Sequence, residues 1–170
     1  MKRGRPFASP PSQRSQQGMV LLVALVMLLL ITMIGVSSMH NATLQEKMAS
    51  SVQTRNTTFQ AAEAALRAGE NAVATTGYTL AKCTTTTTCA PPPATDYNQV
   101  TTAGVYGTAG ITWVAVGTTG FYGVQMIGTT SDPANSSSTS ASLYRITAIG
   151  FTAATPLTNP RSVLESVYAK

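Results

Sequence analysis

The sequence predicts an α+β protein: a long N-terminal helix, its first half membrane-spanning, packed on a small antiparallel β-sheet head. Three observations predict it. An uncharged, strongly apolar run occupies Met19 to Val36. A helical spacing of larger or apolar groups then continues without proline to Ala74. Beyond Pro93, Val, Ile, Thr, Tyr, Phe and Trp recur between glycines, which is the residue usage of short strands and turns.

The leader, residues 1–18, is polar and basic and ends in Gly18. An ordinary export signal has its cleavage site after the apolar stretch. Here the glycine precedes it. A cut after Gly18 leaves the apolar stretch on the mature protein, with Met19 as its first residue. Lys2, Arg3, Arg5 and Arg14 supply four of the eleven basic side chains, which leaves seven against six acidic ones after Gly18. The net charge of +5 is therefore a property of the leader, and no basic stripe for nucleic acid survives its removal. The same cluster holds the N-terminus in the cytoplasm by the positive-inside rule. The remainder then faces the periplasm or the outside.

Residues 19–36 make a helix of about 27 Å, enough to cross a hydrocarbon core of roughly 30 Å. Thr32 and Gly35 interrupt the run, and both are tolerated where helices pack closely in membranes. Residues 37–74 extend the helix as an amphipathic half. Leu44, Met48, Val52, Phe59, Ala62, Leu66 and Val73, with Arg55 and Gly69 filling two places, recur at steps of three and four, one face of a helix. Ala61, Ala62, Ala64, Ala65 and Ala68 add helix propensity, and Glu63 and Arg67 form an i,i+4 pair in the favoured order. One helix from Met19 to Ala74 follows, about 84 Å long at the standard rise. Two helices hinged near Gly35 to Asn41 fit the same pattern.

Residues 75–98 read as a loop. It holds both cysteines, Cys83 and Cys89, around a run of threonines, and then Pro91-Pro92-Pro93. Neither cysteine has neighbours to complete a zinc site, which takes about four ligands. Outside the cytoplasm a disulfide is the favoured state, worth about 2 kcal/mol for so short a loop. Two free thiols in a flexible loop are the alternative. Residues 99–170 form the β head. Strands are expected at Ile111 to Val116, Phe121 to Ile127, Leu143 to Phe151 and Ser162 to Tyr168. Turns are expected at Gly117-Thr118-Thr119-Gly120 and Asn159-Pro160, and a polar loop at Ser131 to Ser142. Short links in sequence order favour an antiparallel meander, with one face on the second half of the helix.

The chemistry of a catalyst is missing from the pattern. His40, the one histidine, lies just past the apolar run on the expected helix, away from the partners that a triad or metal site needs. Glu63 and Glu70 look like solvated helix charges, not the paired acids of glycosidase chemistry. The glycines between 104 and 123 sit among threonines and aromatics and read as turns, not as a phosphate loop. Trp113, Phe121, Tyr122 and Tyr144 are expected in the head core. No enzyme activity, cofactor or metal is expected.

Gln17-Gly18 followed by Met19-Val20-Leu21-Leu22-Val23-Ala24-Leu25-Val26-Met27-Leu28-Leu29-Leu30 resembles a type IV prepilin N-terminus. Thr43-Leu44-Gln45-Glu46-Lys47-Met48-Ala49, with Phe59-Gln60-Ala61-Ala62-Glu63-Ala64-Ala65-Leu66-Arg67, resembles the PilX-type minor pilins of type IV pilus assembly. Tyr144-Arg145-Ile146-Thr147 and Val163-Leu164-Glu165-Ser166-Val167-Tyr168 are similar to the end of that family. The resemblance implies a pilin-like fold and a prepilin peptidase cut between Gly18 and Met19, with N-methylation of Met19. It implies a subunit held in the bacterial inner membrane with its head in the periplasm, then moved into the pilus. Its partners would be other minor pilins, the major pilin and a tip adhesin, in pili serving attachment, twitching motility and DNA uptake. Major pilins carry glutamate at the fifth mature position, where this chain has Val23. A subunit without that carboxylate has none to offer a predecessor's N-terminal amine, which fits a subunit that enters first, near the tip. A pseudopilin of a type II secretion system shares the helix and the processing. A membrane-anchored periplasmic adhesion or binding module would share the helix alone.

Overall fold

The computed structural model describes residues 17–131, 133, 140–152 and 160–170. Residues 1–16 of the leader, 132 and 134–139 of the polar loop, and Asn159 of the expected Asn159-Pro160 turn lie outside the described residues. The chain divides into two compact units, Met1–Ala49 and Ser50–Lys170.

Helix α1 runs from Gln17 to Ala74. All that is described of the first unit belongs to it. Along this stretch threonine hydroxyls return to the helix's own carbonyls: Thr32 Oγ1 donates to Leu29 O at 2.8 Å and Thr43 Oγ1 to His40 O at 2.9 Å. Such back-bonding lets a hydroxyl sit on a helix without another partner.

The second unit holds the last turns of α1, two single-turn helices and one sheet. The helices are α2 (Thr86–Cys89) and α3 (Ala94–Tyr97). The strands are β1 (Gly104–Tyr106), β2 (Ile111–Val116), β3 (Gly120–Thr130), β4 (Ala141–Phe151) and β5 (Arg161–Ala169). They form an antiparallel meander in chain order. The expected meander is present, with β3, β4 and β5 longer than their sequence patterns. The expectation of four strands and an unbroken loop before them is corrected at β1, α2 and α3. β1 is three residues long and begins at a glycine, too short to show alternation. α2 is built from threonines, which are poor helix formers. It exists because Thr85 and Thr88 cap it reciprocally, side chain to backbone in both directions.

Side chains alternate across β4, so Tyr144, Ile146, Ala148 and Gly150 turn to α1 and Thr147, Ile149 and Phe151 turn away. On the α1 side, Val73 packs with Tyr144 and Ile146. On the other side, Trp113, Phe121, Ile149 and Phe151 form a second cluster, closed over by Val100 and Tyr97. Trp113, Phe121 and Tyr144 are core residues, while Tyr122 is half-buried against Gly69.

The buried face of α1 is Thr58, Ala62, Ala65, Gly69 and Val73. The expected stripe placed Phe59 there, but Phe59 is 49% exposed. Backbone proximity is the reason. A Cβ built on Gly150 would run into Ala62 N and Thr58 O and come within 2.9 Å of Ala61 C. Small side chains therefore line the crossing and a phenyl group has no room. Polar links fix the register of helix on sheet. Thr58 Oγ1 and Ser162 Oγ are 2.8 Å apart, and Ser166 Oγ donates to Glu70 Oε1 at 2.7 Å. Glu70 is thus a half-buried acceptor, which corrects its reading as a solvated charge.

The end of α1 is closed from the other terminus of the chain. Lys170 Nζ donates to Val73 O at 2.8 Å and Thr75 O at 2.6 Å. A cation at this position satisfies orphan carbonyls and opposes the negative end of the helix dipole. The segment between α3 and β2 is tied by a buried carboxylate. Asp96 Oδ2 accepts from Thr108 N at 2.9 Å and Thr108 Oγ1 at 3.2 Å.

Candidate functional site

Two regions carry features beyond folding, one in each unit. In the first unit, Gly18 and Met19 lie in the opening turn of α1. Among the large apolar side chains from Met19 to Val36 the least exposed is 47% exposed. The best window of the helix has mean hydropathy 3.1 and none of it is buried inside the chain. It is long and apolar enough to cross a membrane. Exposed to water, this surface would be unfavourable by about 25 cal/mol per Å². The run therefore contributes nothing to the core of its own subunit and everything to whatever covers it. Val23 lies within it, 52% exposed. His40 is exposed further along the same helix. A methyl group added at Gly18 would meet no atom within 4 Å, so local packing does not call for glycine there.

In the second unit the disulfide loop sits on the sheet. Cys83 and Cys89 are bonded, with Cα atoms 5.2 Å apart. Cys83 N–H donates to Met126 O at 3.0 Å. Cross-strand neighbours Gln125 and Arg145 hold the other end. Gln125 Nε2 donates to Thr88 O at 2.7 Å and Ala90 O at 3.2 Å, and Arg145 Nη1 to Cys89 O at 2.7 Å. The bond between the cysteines was legible from their spacing and setting. The clamp was not, although an arginine amid the apolar pattern of β4 is the signal that could have suggested it.

Beside the loop lies a groove of about 420 Å³ lined by Tyr78, Leu80, Val114, Tyr122, Val124 and Met126 among others. Burial of the Tyr78 phenol, with Tyr122 and Tyr144 nearby, raises its pKa above 10.0. Tyr106 is shifted the other way by hydrogen bonds from Thr102 and Thr101. Glu63 pairs with Arg67 at 2.8 Å on the exposed side of α1. Among the described residues no group of three or more His, Cys, Asp or Glu side chains is placed to hold a metal ion.

The helix of the first unit presents an apolar surface that the chain itself leaves uncovered, and a known family matches this part of the sequence. Residues 17–67 match the family model described as PilX N-terminal. Over these residues the chain is similar to PilX-type pilin N-terminal domains. No curated protein and no solved structure matches the chain. The PilX-type segment contains Gly18, Met19, Val23 and the whole apolar run, and it ends in the α1 turns that meet the sheet. The matched family is a type IV pilus family, structural and not enzymatic, whose members associate with other pilus components. An apolar N-terminal helix of this kind is consistent with a membrane-anchored pilin.

Proposed function

We propose that this chain is a minor pilin that helps to initiate type IV pilus assembly and lies near the pilus tip. The observation that carries the reading is the uncovered Met19–Val36 surface directly after Gly18, inside a PilX-type segment. Before assembly the run, residues 19–36, is anchored in the inner membrane with the leader in the cytoplasm and the head in the periplasm. Prepilin peptidase cuts between Gly18 and Met19, and the new amine is methylated. On extraction, the apolar helix exchanges lipid for the helices of other minor pilins and the major pilin. The head, residues 99–170, selects those neighbours and can present a tip adhesin, in support of adhesion and twitching motility.

The place near the tip rests on Val23. A carboxylate in hydrocarbon costs about 2.5–3.5 kcal/mol on lenient scales, and it is worth keeping only where it pairs with a predecessor's amine. A subunit that enters first has no predecessor. Labelling of assembled pili is expected to find the chain at filament ends, and labelling along the shaft contradicts early entry.

The processing step is tested with Gly18→Leu in the native host. The packing of α1 tolerates added bulk at Gly18, so folding is expected to be unchanged. The protein is expected to keep its leader and run larger on a denaturing gel than the processed wild type. Removal of the leader from Gly18→Leu at the wild-type rate would contradict recognition at this glycine.

A further inference from the structure

The internal edge of β3 is covered unevenly. β2 pairs with β3 only along Gly120 to Gly123, although β3 continues to Thr130. From Val124 to Thr129 the strand-like partner on that side is the isolated parallel bridge Lys82 to Met126, with the bond from Cys83 N–H to Met126 O, while the start of β2 flanks Val124 and Gln125 across a groove. The covering loop is held unequally at its two ends. Thr88, Cys89 and Ala90 accept three side-chain hydrogen bonds from Gln125 and Arg145. Lys82 and Cys83 are held through that bridge and the approach of Cys83 Sγ to Ile127 O at 4.0 Å, with no side chain of the sheet reaching to their carbonyls in the bonds described. The disulfide joins the weakly held end to the firmly held one, and so keeps the cover in place.

We propose that the Cys83–Cys89 disulfide is a redox-sensitive guard over the Val124–Thr129 edge. Its reduction opens this edge to antiparallel pairing with the same edge of a second copy of the chain. A dithiol reductant supplies two electrons and two protons. The S–S bond breaks, Cys83 and Cys89 become thiols, and the reductant closes to its own disulfide.

The occupant follows from charge. From Gly120 to Thr130 there is no charged residue and no proline. Within it, Val124 to Thr129 has one glycine, Gly128, at the bulge in the β3–β4 ladder. An uncharged, proline-free segment with few glycines has the composition of self-pairing strands, and antiparallel pairing of two copies sets no like charges opposite each other. The outer edge differs. Full-length antiparallel self-pairing of β5, Arg161–Ala169, sets its central Glu165 against the Glu165 of the second copy, an arrangement that destabilises pairing. β1, at the opposite edge, has three residues. Natural sheets cover or charge their edges against such pairing. Here β5 is charged, β1 is short and β3 is covered by a loop that a reductant can release. None of this depends on whether the chain is processed.

The test uses the full chain in detergent micelles, oxidised and then treated with dithiothreitol. Amide hydrogen exchange is followed by mass spectrometry, and molar mass by light scattering across protein concentrations. Losing a ring of sequence separation 6 makes local opening about thirtyfold more frequent. Exchange across residues 82–90 and 124–129 is expected to rise by that order, with Trp113 fluorescence unchanged and with concentration-dependent dimers in the reduced sample only. Thr129 is exposed, so Thr129→Lys places a charge on the edge without disturbing the core. It is expected to keep the reduced protein monomeric while exchange still rises. Unchanged exchange, a reduced sample monomeric at every concentration, loss of the native Trp113 signal, or association of Thr129→Lys equal to wild type would each overturn the proposal.

Discussion

Replacing Gly150 by alanine tests the closest approach in the head. The new Cβ meets Ala62 N and Thr58 O, and lies 2.9 Å from Ala61 C, where ordinary contact begins near 3.4 Å. All three neighbours are helix backbone, so no side chain can rotate away. α1 must move off β4. A gap of 0.5–1 Å forfeits about a quarter to a half of each dispersion contact, along a face that includes fully buried Ala62, Ala65 and Val73. Overpacking costs about 1–3 kcal/mol in ordinary cores, and a collision between backbones belongs at the upper end, about 3 kcal/mol. Alanine is better than glycine in a strand by about 0.5–1 kcal/mol, which leaves a net loss of roughly 2 kcal/mol. The assay is urea unfolding of the full chain in mild detergent, read by the fluorescence of Trp113, the single tryptophan and one that is buried. With m near 2 kcal/mol per M, the midpoint falls by about 1 M. Gly128→Ala is the control, since a Cβ there meets nothing within 4 Å, and its midpoint is expected to hold or rise slightly. A Gly150→Ala midpoint equal to wild type, or an equal fall in both variants, would refute the reasoning.

Arg145→Met removes the charged donor to Cys89 O and keeps most of the side-chain volume. A loss of about 1.5 kcal/mol is expected, checked by the same urea midpoint. A midpoint within about 0.2 M of wild type would deny the clamp its role. The Tyr78 phenol titrates above its unfolded value of 10.0, chiefly because burial disfavours the charged form. Its contribution is fully present below pH 10 and is lost as pH rises through the folded pKa. Above pH 10 the urea midpoint of wild type is expected to fall more steeply with pH than that of Tyr78→Phe, which has no phenol to ionise. A pH slope equal in the two proteins counts against the shift.

The long helix was legible because its signals are strong and local: eighteen uncharged residues, then three- and four-residue steps with no proline. The strands were legible where they are buried enough to demand β-branched and aromatic residues, as in Ile111 to Val116, whose bounds match β2. β1 and α2 were not, because each is a few residues held by distant partners and by capping threonines instead of by propensity. The stripe on α1 erred at Phe59 because hydrophobicity marks what can be buried, not how close two backbones come. Gly150 sets that distance, and a single glycine in a strand does not announce the helix it will touch. Glu70 and Arg145 illustrate the same limit. Glu70 looks like a surface charge in sequence, and both residues become partners only once groups distant in the chain, Ser166 on β5 and Cys89 in α2, are brought to them. The Gly18–Met19 junction is the reverse case. Local order alone marks it, and the fold adds only that packing does not call for the glycine.

The most direct measurement is the N-terminus of the protein purified from its native host, by intact-mass and peptide mass spectrometry. The account predicts a chain beginning at N-methylated Met19, with the apolar run retained. A chain beginning at Met1, or one beginning beyond Val36, would contradict it.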